Sequence, residues 1–269
     1  MSKSVETVGF IGCGTLSEAV ITAIRKGGSK QPILVSPRSE ATSRRLAAAI
    51  PGVERVGSNA EVVARADMVV LAMRPQQLDQ ALADLCFSED QLIVSFVAKL
   101  SLIELKHRTA PARQACRVTP LPMIAMGKGP VVLYPCLEAV ARLFEGNGLV
   151  ITAASEDEMM AFGYASSLMS TYFQLQNTVV DWLEARGVAP ATASDYVTSM
   201  CEGLAATGTA TSRADRAALP AQHETKAGLN ERCRQTLMTS GWFGELATML
   251  DRLEQASLGS TGSTNRTVS

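Results

Sequence analysis

Gly9-Phe10-Ile11-Gly12-Cys13-Gly14-Thr15-Leu16-Ser17-Glu18-Ala19 is the stretch on which the fold turns. The apolar run Val8 to Ile11 enters Gly12-Cys13-Gly14-Thr15-Leu16-Ser17, close to G-x-G-x-x-G/A with Ser17 in the third place. A segment with Leu16, Ala19, Val20, Ala23 and Ile24 on one helical face follows at once. Such a string is weak in isolation. Between a strand and a helix it is the setting in which backbone N–H groups and a helix N-terminus hold a diphosphate. Gly12, Cys13, Gly14, Thr15 and Leu16 are therefore expected to bind the diphosphate of a dinucleotide, and Ser17 is small enough to keep helix and strand close.

About twenty residues further on, a carboxylate would mark a free ribose 2'-hydroxyl. The chain has Ser36-Pro37-Arg38-Ser39 there. A guanidinium binds phosphate oxygens in pairs, so Ser36, Arg38 and Ser39 suit a 2'-phosphate, and NADP(H) is preferred over NAD(H). The plainer alternative is that Ser39 caps the next helix and Arg38 is solvated.

Outward from this turn, short apolar runs alternate with helical spacing. Val8 to Ile11, Ile33 to Val35, Met68 to Met73, Leu92 to Val97, Val131 to Tyr134 and Leu149 to Thr152 read as strands. Leu16 to Lys26, Glu40 to Ile50, Gln76 to Leu85 and Leu102 to His107 read as helices. Strands apolar throughout, in alternation with helices, predict a mostly parallel sheet covered on both faces. After Ala154 the alternation ends. Ser155-Glu-Asp-Glu158 has capping-box spacing before what reads as one long helix to about Arg186, stopped by Gly187. Further helices are expected over Ala191 to Thr207, Thr225 to Met238 and Phe243 to Gln255. The fold class is thus α/β, an N-terminal Rossmann-type dinucleotide-binding domain (residues 1–154) followed by an all-α domain (155–256), with a Ser/Thr/Gly-rich tail (257–269) expected to be disordered. Met159, Phe162, Tyr172, Phe173, Leu175, Trp182 and Leu183 make the long helix apolar on more than one face. Either it is a core helix within one subunit or, as we expect, a second copy covers it and the helical domain is a homodimerisation domain.

Composition removes other classes. Of 269 residues, 46% are hydrophobic and 19% charged, and the formal net charge is -1, the profile of a globular chain with no basic surplus for nucleic acid. No apolar stretch approaches the roughly 20 residues of a membrane helix. No long apolar core follows Lys3, so no secretory signal is expected, and the expected address is cytoplasmic. Cysteines at 13, 86, 116, 136, 201 and 233 form no C-x-x-C pair and the only histidines are His107 and His223, so no metal site is expected and the thiols read as small apolar fillers.

Over about residues 7–255 the chain resembles the pyrroline-5-carboxylate reductases, which reduce a cyclic imine to proline. Gly9 to Ala19 is similar to their opening turn, and Ser58-Asn59-Ala-Glu-Val-Val with Ala66-Asp-Met-Val-Val-Leu-Ala-Met-Arg-Pro-Gln76 to their adenosine-side segment. Ser95-Phe-Val-Ala98 and Arg117-Val-Thr-Pro120 resemble the segments near the nicotinamide, and Gly187-Val-Ala-Pro190 a turn of the dimerisation domain. The resemblance implies that Asn59 contacts the adenosine half, that Ala72, Met73, Arg74, Pro75, Val97 and Ala98 line the cofactor cleft, and that Thr119 and Pro120 lie near the nicotinamide. It also implies that Thr225 hydrogen-bonds the imine.

The chain departs from the family pattern at several places. A glycine-rich Ser-Gly-Ser-Gly-Pro-Ala-Tyr string is replaced by Ser166-Ser-Leu-Met-Ser-Thr-Tyr172, and Pro-Gly-Gly-Thr-Thr by Ala221-Gln-His-Glu-Thr225. Lys99 stands for a glycine after the fifth strand and Leu121 for an asparagine. A hydroxyl donor at Thr225, with N–H groups at the start of its helix receiving a substrate carboxylate, would serve imine reduction. His223 is a second candidate proton donor because an imidazole titrates near 6.5. Glu224 and Lys226 stand beside it. Hydroxyacid dehydrogenases of similar plan use a lysine on the long helix, and this chain has none between Lys128 and Lys226. A reductase of F420 type shares only the first domain. The expected activity is hydride transfer from NADPH to the C=N bond of a small cyclic imine, as in proline biosynthesis; the alternatives are reduction of another imine or ketone, or an NADPH-binding dimeric sensor or partner protein without reductase activity.

Overall fold

The computed structural model describes residues 5–261. By internal contacts the chain divides into two compact units between Phe162 and Gly163.

The first unit contains, in order, β1 (Val8–Ile11), α1 (Thr15–Lys26), β2 (Ile33–Val35), α2 (Glu40–Ala49), β3 (Val53–Arg55), α3 (Asn59–Arg65), β4 (Met68–Leu71), α4 (Leu78–Leu82), β5 (Leu92–Ser95), α5 (Leu102–Arg108), β6 (Gln114–Pro120), β7 (Pro130–Tyr134), α6 (Glu138–Leu143), β8 (Leu149–Thr152) and most of α7 (Glu156–Ala165). The sheet order is β3-β2-β1-β4-β5-β6-β7-β8. Every neighbouring pair is parallel except β6 and β7. Alternate side chains explain why both faces are covered: Val8, Phe10, Ile33, Val35, Met68 and Val70 enter one core, whereas Ile11, Leu34, Val69, Leu71 and Ile93 enter the other. Gly9 lets α3 close on β1, since a Cβ there would stand 2.5 Å from Val62 Cγ1.

Sequence periodicity missed β3, β6, α3 and α6. β3 is three residues long with Glu54 exposed. β6 reads as polar because of Gln114, Arg117 and Thr119, yet Arg117 is buried: its Nη1 donates to Glu156 Oε1 at 2.6 Å, and the same oxygen accepts the Leu102 N–H at 2.8 Å. An ion pair that closes within the fold looks like a solvated residue in a one-dimensional reading. β4 and β5 stop at Leu71 and Ser95, short of the expected Met73 and Val97, which frees the two following segments as loops at the strands' C-terminal ends.

The expected single helix from residue 155 to 186 is two helices. Its start is as predicted, with Ser155 Oγ accepting the Glu158 N–H and Glu158 Oε2 accepting the Ala154 N–H. α7 ends at Ala165 and α8 (Leu168–Glu184) begins after Ser167, although neither glycine nor proline stands at the break. The division between units falls inside α7, beyond residue 154, because Met159 and Phe162 pack with Val132, Ile151 and Ala153 of the sheet. Gly187, at φ +85°, closes α8 while the Val188 N–H reaches the Leu183 carbonyl at 3.2 Å.

The second unit comprises α8, α9 (Pro190–Ala210), α10 (Leu219–Gln222), α11 (Leu229–Thr239) and α12 (Trp242–Thr261). The helix expected from Thr225 starts at Leu229, because Ala227 takes a left-handed φ of +59° and Gly228 is the N-cap. α12 runs to Thr261, into the segment expected to be disordered; residues 262–269 lie outside the described part. Among the described residues after Gly163 only Ala193 and Val197 are buried. Phe173 is 59% exposed, Trp182 54% and Tyr196 62%. No described helix is long and apolar enough to cross a membrane.

Candidate functional site

β1 ends in a turn that only a residue without a side chain can make. Gly12 has φ +95°, and a Cβ on it would lie 2.2 Å from the Ala72 carbonyl oxygen. The Ala72 N–H donates to the Ile11 carbonyl at 2.8 Å, which locks β1 to β4 at this point. The Gly12 N–H donates to Ser36 Oγ at 2.9 Å, and Ser17 Oγ donates to the Gly12 carbonyl at 2.8 Å. Ser17 thus does more than fit: it ties the turn to the helix it opens. Gly14 is the N-cap of α1 and supplies no side-chain cap, so the first-turn N–H groups remain open to a ligand. Glu18, a turn further, would oppose an anion, but Arg45 Nη2 holds both of its oxygens at 2.7 and 2.6 Å.

These groups border a cleft of about 590 Å³ at the C-terminal ends of β1, β2, β4 and β5. The glycine turn Gly12 to Leu16 forms one wall; Ser36, Arg38, Ser39 and Asn59 form the end beside β2; Ala72 to Pro75 and Ala98 form the other side. Such a position, outside the carboxyl ends of strands where the order reverses between β1 and β4, is where open parallel sheets bind ligands. Three expected residues are absent from the lining. Val97 turns into the core, 4% exposed, and Thr119 and Pro120 lie on β6, whose end pairs with β7. Ile11, Ser17, Gln77, Ala81 and Phe96 line the cleft without having been anticipated. Phe96 was readable in principle, since it alternates with the buried Ser95 and Val97; its ring packs 6.5 Å from that of Phe10.

Ser36 is fully buried and its oxygen is committed to Gly12, so it holds the turn. Arg38 is exposed and has no hydrogen-bond or ion-pair partner among the described residues. Ser39 is the N-cap of α2 and makes no side-chain cap bond, leaving its hydroxyl and the helix's first N–H groups facing the same space. The one nearby acid, Glu40, is held below the usual carboxylate range by its hydrogen bond to Arg44. Asn59 Nδ2 donates to the Ala81 carbonyl at 3.1 Å, which orients the amide at the cleft edge.

Burial raises the Cys13 thiol from 9.0 to about 11, with Glu18 adding to the effect, and raises Cys116 to about 12. Cys86, Cys136 and Cys233 are exposed, so the expectation of six apolar fillers is corrected for these. Iodoacetamide at neutral pH is expected to label the exposed three and spare Cys13 and Cys116, as peptide mass spectrometry would read. Since the neutral thiol of Cys13 is favoured in the folded state, its stabilising contribution is complete below pH 9.0 and is lost as the pH rises to about 11.

In the second unit, Thr225 is exposed, and its carbonyl accepts the Gly228 N–H at 2.7 Å. Gly228 allows the approach: a Cβ there would meet Thr225 Oγ1 at 2.2 Å. Thr225 lies ahead of α11 rather than at its start, and the neighbouring Ala227 N–H already donates to Glu231 Oε2 at 2.5 Å. A carboxylate of the protein therefore occupies the place expected to receive one from a substrate. His223 Nδ1 lies 2.8 Å from the Leu219 carbonyl, an acceptor, so Nδ1 carries a proton and donates. Arg234 grips both oxygens of Glu224 and keeps its carboxyl below the ordinary range, so Glu224 is an anion at neutral pH. Lys226 is exposed in the turn.

Residues 7–99 match the family described as NADP oxidoreductase, coenzyme F420-dependent. A pyrroline-5-carboxylate reductase of Pseudomonas aeruginosa is 28% identical over 213 residues, 75% of this chain and 78% of that one. The chain is similar to the pyrroline-5-carboxylate reductases over about three quarters of its length. The Streptococcus pyogenes member of that family superposes with a TM-score of 0.80 at 18% identity, covering 94% of this chain and 98% of the other. A Plasmodium falciparum pyrroline carboxylate reductase, solved with NADP bound, gives 0.79 at 15% identity over 96% and 98%. The pyrroline-5-carboxylate reductase fold, a Rossmann-like domain followed by a helical region, is thus the fold of this chain.

Proposed function

We propose that the protein is an NADP(H)-dependent reductase that reduces the C=N bond of a small cyclic imine, pyrroline-5-carboxylate or a close relative, acting in the cytoplasm as a homodimer joined through the helical unit. The observation that carries this reading is the cleft of the first unit: a helix N-terminus with open N–H groups, a glycine turn with no room for a side chain, and an uncompensated Arg38 beside an uncapped α2. The donor set fits a diphosphate at one place and a further phosphate at another. The dinucleotide, once bound, supplies the hydride.

The chain's own residues have three tasks. The α1 N-terminus, Arg38 and Ser39 bind and orient the dinucleotide, and Asn59 and Ala72 to Pro75 border it. Thr225 Oγ donates a hydrogen bond to the imine nitrogen, and an imine protonates readily enough in water that no stronger acid is required. His223 is a second candidate donor, with Nδ1 engaged at the Leu219 carbonyl and Nε2 left for a substrate. The dimer is supported by the burial of only Ala193 and Val197 among the described residues of the helical unit, while large apolar side chains such as Phe173, Trp182 and Tyr196 stand exposed in a single chain.

The test is an assay following NADPH absorbance across five- and six-membered cyclic imines and the corresponding ketones. Oxidation with a cyclic imine is expected. NADPH binding without turnover of any compound would favour the sensor alternative, for which Leu168 and Met169, within the stretch that stands for the family's glycine-rich string, are the motivating residues.

A further inference from the structure

Gln77 lines the cleft, yet neither the diphosphate nor the 2'-phosphate needs it, since an amide carries no charge. After β4 the Gln77 N–H donates to the Arg74 carbonyl at 2.9 Å, and the chain enters α4. Leu78 and Leu82 pack into the core. Gln77 and Ala81, four residues apart and so on one face of the helical turn, line the cleft, whereas Gln76 does not. Asn59 shows which part of the cleft this face borders. It is the first residue of α3, the helix after the edge strand β3, and its Nδ2 donates to the Ala81 carbonyl at 3.1 Å. The Gln77–Ala81 face is thereby joined to the lining that follows β2 and β3, to which Arg38 and Ser39 also belong.

Of the polar groups in that lining, Arg38 and Ser39 suit the 2'-phosphate, and the Asn59 amide already donates to a carbonyl. Gln77 is the N-cap of α4 but makes no cap bond with its side chain, which has no hydrogen-bond partner among the described residues. It offers a donor and an acceptor side by side in one plane. Ala81 on the same face adds an apolar surface. A flat ring with an apolar face and an amino group next to a ring-nitrogen acceptor on its edge satisfies both features. Adenine is such a ring, with N6 as donor and N7 as acceptor. A phosphate would use only the donor half of the amide.

We infer that Gln77 reads the adenine of the dinucleotide, its Oε1 accepting from N6 and its Nε2 donating to N7, so that the cleft selects adenine over other purines. This rests on the dinucleotide reading above. The experiment is calorimetric titration of the full-length protein, and of its Gln77→Leu and Gln77→Ala variants, with NADPH and with the hypoxanthine analogue of NADPH, in which an oxygen replaces the N6 amino group. The wild-type protein is expected to bind the analogue about tenfold more weakly, because two acceptors then face the amide and one of its two hydrogen bonds is lost. In both variants NADPH weakens to about the affinity of the analogue, and the two dinucleotides become equivalent. A merely structural Gln77 would weaken both ligands alike and leave their ratio intact. Equal binding of the two by the wild-type protein, or a ratio that survives in the variants, overturns the assignment. Should the wild-type protein bind neither dinucleotide, the dinucleotide reading fails by itself. Titration of AMP against IMP then decides Gln77. A preference for AMP that is present in the wild-type protein and lost in both variants upholds the adenine role; any other result removes it.

Discussion

Gly12→Ala is expected to abolish dinucleotide binding and to lower the stability of the first unit by about 2–4 kcal/mol. Two penalties combine. At φ +95° an L-residue is strained whatever surrounds it, and the new Cβ would meet the Ala72 carbonyl oxygen at 2.2 Å. That oxygen is backbone, and the N–H of the same residue is held by its bond to the Ile11 carbonyl, so neither side can yield without disturbing the β1–β4 pairing. Movement of the turn would also break the Gly12 bond to Ser36 and the Ser17 bond to Gly12, spreading the damage into β2 and α1. Gly14→Ala is the contrasting variant. Gly14 has φ -90° and nothing within 4 Å of a built Cβ, so the fold keeps its Tm. Its methyl group would instead enter the space of the diphosphate, and affinity for NADPH is expected to fall about tenfold. Titration calorimetry with thermal melts separates the two effects. NADPH binding by Gly12→Ala at wild-type affinity would mean that the diphosphate does not sit on this turn.

Much of the first unit was legible because its information is local. A buried parallel strand announces itself by continuous apolar residues, as Val8 to Ile11 and Met68 to Leu71 do, and the glycine turn between a strand and a helix needs no long-range contact to be recognised. What stayed hidden is what depends on partners distant in sequence. Arg117 made β6 look polar because its carboxylate lies on α7. Ser36 read as a phosphate ligand, and in the fold it is a fully buried acceptor for Gly12. Thr225 read as the first residue of a helix, because the left-handed Ala227 that delays α11 has no compositional mark. The helical unit was legible as helices and as an apolar surface in want of cover. The break between α7 and α8 was not, because Ser166 and Ser167 are ordinary helix residues and the family's glycines and proline are gone.

Arg38→Ala is expected to weaken NADPH about 30- to 100-fold and to leave NADH within about twofold, moving the protein toward indifference between the two. The asymmetry follows from geometry. Arg38 borders the cleft after β2, whereas the diphosphate is proposed to sit at the α1 N-terminus after β1, so removing Arg38 is expected to act on whatever the adenosine ribose carries. A charge-assisted pair of hydrogen bonds is worth about 2–3 kcal/mol, which corresponds to the stated range. Arg38 is exposed, so the wild-type preference should also weaken as salt is raised, whereas the NADH affinity changes less. Ser39→Ala should cost less, since the α2 N-terminal N–H groups remain and Arg44 continues to neutralise Glu40. Arg38→Asp is the stronger form of the test: it places at the end of β2 the carboxylate that a free 2'-hydroxyl would accept as partner, so NADH binding should improve while NADPH binding collapses. An Arg38→Ala protein that loses both dinucleotides equally would place Arg38 on the diphosphate instead, and the choice between the two cofactors would then have to be made elsewhere in the cleft.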